Sequence, residues 1–100
     1  MRRGTTARHS FDCPFAEKDL KAVRVIYAQD KRPMVVKEKE DCVMDGRHLF
    51  VALTQEDTLR FAAGLPVEVQ LRLLFRDGST LASNILSVGV DRLLEDEVMA

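Results

Sequence analysis

The sequence predicts an all-β sandwich, and three observations carry that prediction. Val67, Val69, Leu71, Leu73 and Phe75 alternate with Glu68, Gln70, Arg72 and Arg76, the apolar-in, polar-out pattern of an antiparallel strand with one face in water. Asp45-Gly46 and Asp77-Gly78 each separate two apolar runs, the strongest short-range signal for a hairpin. The chain is 100 residues long, enough to fold as one domain spanning 1–100 and to bury roughly 65% of its unfolded surface without disulfides. That length holds about seven short strands.

The elements follow in order. A leading strand is expected from about Ala7 to Cys13. Val23, Val25 and Tyr27 alternate with Arg24, Ile26 and Ala28 in a strand that ends near Gln29-Asp30. Pro33 to Lys39 is a further strand, and its proline is tolerated only at a strand start or on an edge. With Asp45-Gly46 as a two-residue loop, Met44 faces Arg47, Val43 faces His48 and Cys42 faces Leu49. Cys42, Met44, Leu49, Val51 and Leu53 then share one face as core. After Asp77-Gly78 a two-residue loop would turn Ala82, Leu86, Val88 and Val90 inward with Asn84, and leave Leu81 and Ile85 outside. That imbalance points to a bulge or a longer turn.

One segment breaks the strand period. Thr54-Gln55-Glu56-Asp57 sets a hydroxyl three residues before an acid, close to a capping box, with Asp57 suited to the helix dipole. Leu59, Ala62 and Ala63 follow at helical spacing, then Gly64 as terminator and Pro66 as stop. The pattern predicts one short helix near residues 55–63. The whole reads as an immunoglobulin-like antiparallel sandwich, although the chain has no Trp and no Cys…Trp…Cys series. A small, partly open barrel is the alternative.

Composition excludes several classes. Apolar residues make up 46% and charged residues 31%, a globular profile rather than a disordered one. The longest apolar run, Leu49 to Leu53, is far short of the ~20 residues of a membrane helix. Met1-Arg2-Arg3 opens like a signal peptide, but no apolar stretch follows. Residues 1–32 hold eight basic and four acidic residues, residues 33–65 four and six, and residues 66–100 three and six. This polarity reads as a frayed basic N-terminus and a solvated acidic end, Glu95-Asp96-Glu97. The sharper alternatives are end-to-end contact between copies, or phosphate binding by Arg2, Arg3 and Arg8.

The chemical inventory is sparse. His9, Cys13, Cys42 and His48 suggest zinc, but an extended 9–13 segment holds its end Cα atoms about 13 Å apart, whereas zinc needs ligand atoms at about 2.0–2.3 Å. Cys42 and His48 fall on opposite faces of the expected hairpin, which also defeats a Cys42–His48–Asp45 catalytic trio. A Cys13–Cys42 disulfide has no sign of an oxidising compartment behind it. The paired acids 38–41 and 95–97 read as solvated turns and tails. No phosphate loop, H-E-x-x-H or G-x-S-x-G occurs. No catalytic, cofactor or metal residues are assigned. Nucleic-acid binding is not expected, since basic clustering and stacking aromatics are both missing.

Several segments, taken in order, resemble a known group. They are Arg3-Gly4-Thr5-Thr6 with His9, Phe11 and Pro14-Phe15; Tyr27-Ala28-Gln29; Leu53 to Thr58 with Phe61; Val67 to Arg72; and Asp77-Gly78 with Leu81-Ala82-Ser83 and Ile85. The series resembles small proteins of about 100 residues from phages and prophages of Gram-positive bacteria, encoded near tail and baseplate genes. The resemblance implies a non-catalytic structural or assembly protein, cytoplasmic in the host or virion-associated, whose partners are other phage structural proteins or itself. A module binding a host surface peptide or sugar, and a prophage regulator or inhibitor, are the alternatives. It carries over no site residues. From the residues themselves, the strand beginning at Arg32 and Pro33 is the candidate protein-contact edge. Its Lys37 and Lys39 would guard against indiscriminate pairing or set the register with one partner.

Overall fold

The structure, a computed structural model, describes residues 1–91, 98 and 99. In chain order these residues form β1 (Ala7–Asp12), β2 (Leu20–Gln29), β3 (Arg32–Glu38), β4 (Cys42–Asp45), β5 (His48–Leu53), α1 (Gln55–Leu59), β6 (Val67–Phe75), β7 (Thr80–Ala82) and β8 (Leu86–Val88). The strands make two antiparallel sheets, an all-β sandwich. One sheet runs β1-β5-β4; the other runs β3-β2-β6, with β7 and β8 both on the far side of β6. The strand count exceeds the expected seven because the stretch after Gly78 breaks into two short pieces.

The core is the alternation made solid. Val23, Val25 and Tyr27 stand opposite Leu73, Leu71 and Val69, and all six are buried with Leu49, Val51 and Leu53 of the facing sheet. Cys42 and Met44 lie opposite Val51 and Leu49, so the expected face of five residues forms. Their register differs from expectation, because Asp45 pairs with His48 and the loop is Gly46-Arg47. Gly46 has φ +59°, and a glycine at the first central position is what a type II′ hairpin requires. The two-residue change in partner preserves every facing.

The other turns follow local chemistry. Asp30 and Lys31, between Gln29 and its partner Arg32, have φ 49° and 62°. Two left-handed residues define a type I′ hairpin. After β6, the Gly78 N–H donates to Phe75 O (3.0 Å) and the Phe75 N–H to Ser79 O (2.9 Å), with Gly78 at φ +92°. This is a three-residue loop with a glycine bulge. Leu81 therefore sits opposite Leu73, on the inner face, not outside as a two-residue loop would place it.

The helix is shorter than the predicted 55–63. Thr54 Oγ1 accepts from Asp57 N–H at 3.1 Å, and Asp57 Oδ2 accepts from Thr54 N–H at 2.9 Å, so the capping box forms. The helix then stops at Leu59. Phe61 turns into the core while Ala62 and Ala63 remain exposed. Buried Gln29 supplies the bonds the helix gives up: its Nε2 donates to Ala62 O (2.8 Å) and Leu65 O (3.1 Å), and its Oε1 accepts from Ala62 N–H (2.8 Å).

The basic N-terminus is docked, not frayed. Met1 N donates to Gly89 O at 2.8 Å, and the backbone of Arg2 forms an isolated parallel β-bridge with that of Asp91. The Arg3 guanidinium donates to Leu59 O (2.9 Å) and to Phe61 O. Such a cation at the last carbonyls complements the helix end. Residues 95–97 lie outside the described residues. No helix among the described residues is long and apolar enough to cross a membrane.

Candidate protein-contact edges

The larger sheet has two sides, and they are finished differently. On one side β3 is the outermost strand. Pro33 has no N–H to offer a neighbour, and the register with β2 slips at Met34, between the Tyr27–Val35 and Ala28–Pro33 pairs. Such bulges twist an edge away from pairing. Arg32 is exposed at the hairpin mouth.

The two lysines of this edge are engaged within the molecule. Lys37 stands opposite Val25, on the inner face, and its Nζ lies 2.7 Å from Asp57 Oδ2. Lys39 Nζ donates to Leu20 O at 3.1 Å. Glu38, on the outer face, meets Arg24 at 3.2 Å. An inward-pointing lysine is a known device for blunting a sheet edge, and here it also ties β3 to the capping box of α1. Burial pulls the Asp57 carboxyl upward, but the hydrogen bonds from Lys37 and Thr54 outweigh it and hold the pKa below its usual value. The Val35–Lys37 alternation was the signal for this inward placement.

The opposite side is unfinished. The smaller sheet has three strands, while the larger has four strand positions: β3, β2, β6 and the β7/β8 line. β1 sits across from β2 and β6, because His9 reaches Tyr27 and shares a cleft with Val69. Among the described residues no strand pairs with the second edge of β1, the edge that lies toward β7 and β8. Leu81 and Leu86 accordingly face inward by register, opposite Leu73 and Val69, yet are 48% and 54% exposed. Leu86 was expected to be core. The cleft between β1 and β8, about 230 Å³, is lined by Arg8, His9, Phe11, Val69, Leu86 and Val88.

Interior polar chemistry lies behind this cleft. His9 Nδ1 is 2.8 Å from the Tyr27 hydroxyl. Burial raises the tyrosine pKa well above its usual value, and burial, then the N-terminal charge, lowers that of His9. Both groups are neutral at pH 7. Cys42 is half-buried, and burial, then the Asp41 charge, pushes its thiol up to about 11, a poor nucleophile. Cys13 is buried, and neither cysteine is in a disulfide. His48 lies on the outer face, opposite Asp45. Among the described residues no three His, Cys, Asp or Glu side chains gather where a metal could bind. A depression of about 670 Å³ lies near Ala52, Thr54 and Val98, with Arg8 and Glu56 as its charged neighbours.

Gln29 and the His9–Tyr27 pair were not foreseen from the sequence. A glutamine at the end of an apolar alternation was the signal for the first; for His9, the signal was its shared parity with Ala7 and Phe11.

Comparison with protein-family models, curated proteins and solved structures found no match.

Proposed function

We propose that this chain is a non-catalytic contact module, a structural or assembly component of a phage tail or baseplate that binds neighbouring proteins through a strand edge. The observation that carries the reading is the strip beside β1, where inner-face Leu81 and Leu86 stand uncovered. Apolar side chains pointing into a sandwich are ordinarily covered by the facing sheet, and an uncovered apolar strip marks an interaction site. The edge of β1 that has no strand partner among the described residues borders the same strip, so backbone pairing and apolar burial are available together. The phage setting rests on the ordered resemblance across the sequence.

β3, the edge that the sequence singles out, is the weaker contact surface because Pro33, the Met34 bulge and the Lys37–Asp57 pair all oppose strand addition. The test is mass spectrometry of purified particles after prophage induction, paired with binding to separately purified co-encoded tail proteins. The reading expects the chain in particles or bound to at least one tail protein. A chain absent from both contradicts it.

A further inference from the structure

The width of the open strip and the charges beside it specify what fills it. Strands in a sheet lie about 4.8 Å apart, and the larger sheet exceeds the smaller by one strand position. One added strand next to β1 would complete the smaller sheet beneath β8; a second would run past the larger sheet. The outward side chains of β1 include Arg8 and Asp12, both exposed, with Ser10 midway between them. Its inward side chains at this point are His9 and Phe11.

A second copy of β1 has matching charges, because antiparallel pairing centred on Ser10 sets Arg8 against Asp12 twice. Its body does not fit. Each copy carries β8 in the layer above the space next to β1, so two copies joined there would force both larger sheets into one place. The slot takes a strand that brings no second sheet with it.

We propose, building on the contact reading above, that the partner of this strip is a single extended segment of another protein. It pairs antiparallel with β1 and reads, in its own chain direction, basic, apolar, any, apolar, acidic. The basic residue lies opposite Asp12 and the acidic one opposite Arg8. The two apolar residues lie opposite Phe11 and His9, against Leu86 and Val88. Antiparallel pairing is chosen because it is the more stable ladder per residue, and opposite charges directly across a ladder favour the register while like charges oppose it.

The test uses two synthetic peptides, Lys-Val-Thr-Val-Glu-Val and its charge-reversed form Glu-Val-Thr-Val-Lys-Val, titrated into isotope-labelled protein and followed by backbone amide shifts. The first should perturb His9, Phe11 and Leu86 saturably and bind about tenfold more tightly than the second. The double variant Arg8→Glu, Asp12→Lys, both exposed positions, should invert that preference while keeping the native amide spectrum elsewhere. Equal affinities, shifts confined to β3, or no shifts at millimolar peptide overturn the proposal. If the peptides fail but Leu86→Lys still weakens binding to a tail protein, the contact reading stands without this partner chemistry. If Leu86→Lys changes nothing, the contact strip itself falls.

Discussion

His9 Nδ1 lies 2.8 Å from the Tyr27 hydroxyl, joining β1 to β2 across the interior with a polar contact set among apolar neighbours. The pair fixes β1, and with it one wall of the open strip.

Stability should therefore depend on the charge of His9. Its folded pKa is lowered from 6.5, so in acid the unfolded chain takes up a proton that the folded one resists. The contribution of His9 should be constant above pH 6.5 and fall as pH drops below it, until His9 protonates in the folded state as well. Urea midpoints at pH 7.5, 6.5 and 5.5 should show the slope. His9→Gln should flatten it. Tyr27→Phe should cost about 1 kcal/mol at pH 7.5.

The hairpin at Asp30-Lys31 carries removable strain. Left-handed backbone costs a non-glycine residue roughly 1–2 kcal/mol, part of which glycine gives back through the greater entropy of its unfolded state. Lys31→Gly should raise stability by about 0.5–1 kcal/mol in urea unfolding. A loss would mean that Lys31 makes a contact worth more than its strain.

Gln29 closes the loop that replaces the second helical turn. Gln29→Leu keeps comparable bulk but leaves the Ala62 N–H and the Ala62 and Leu65 carbonyls without their partner. A loss of about 1–3 kcal/mol is expected, with faster hydrogen exchange at Ala62. An unchanged exchange rate there would show that water substitutes fully.

Asp57 serves both the capping box and Lys37. Thr54→Ala should cost about 1 kcal/mol, and Asp57→Ala should cost more, because it also strands Lys37, whose side chain is only 17% exposed. Equal losses in thermal unfolding would mean that the ion pair adds nothing. Lys37→Met should in addition raise aggregation, since it removes the charge that points inward from the edge.

Much of this fold was legible because period-two alternation and turn residues act locally. Val67 to Phe75 could only be a half-buried strand, and Thr54 with Asp57 named the helix start. The helix end was not legible. Leu59, Ala62 and Ala63 have helical spacing, but Phe61 gains more by entering the core, and the side chain that compensates the loop is Gln29, more than thirty residues away. How the β3 edge is finished was illegible for a related reason. Charge on β3 pointed to an edge, which it is, but only the pairing of whole strands reveals that Lys37 is spent on Asp57. The exposure of Leu86 follows from a count of strands in two sheets, which no local pattern contains.

The central claim is that the strip beside β1 is where this chain meets its partners. It is tested most directly by comparing Leu86→Lys with Val43→Lys in binding to the co-encoded tail proteins. Both side chains are already exposed, Leu86 at 54% and Val43 at 63%, so neither change should move the folding free energy by more than about 0.5 kcal/mol. Val43 lies on the outer face of the smaller sheet, opposite Phe50, away from the strip. The account predicts that Leu86→Lys abolishes binding while Val43→Lys leaves it intact; undiminished binding by Leu86→Lys, or its loss through Val43→Lys alone, would contradict it.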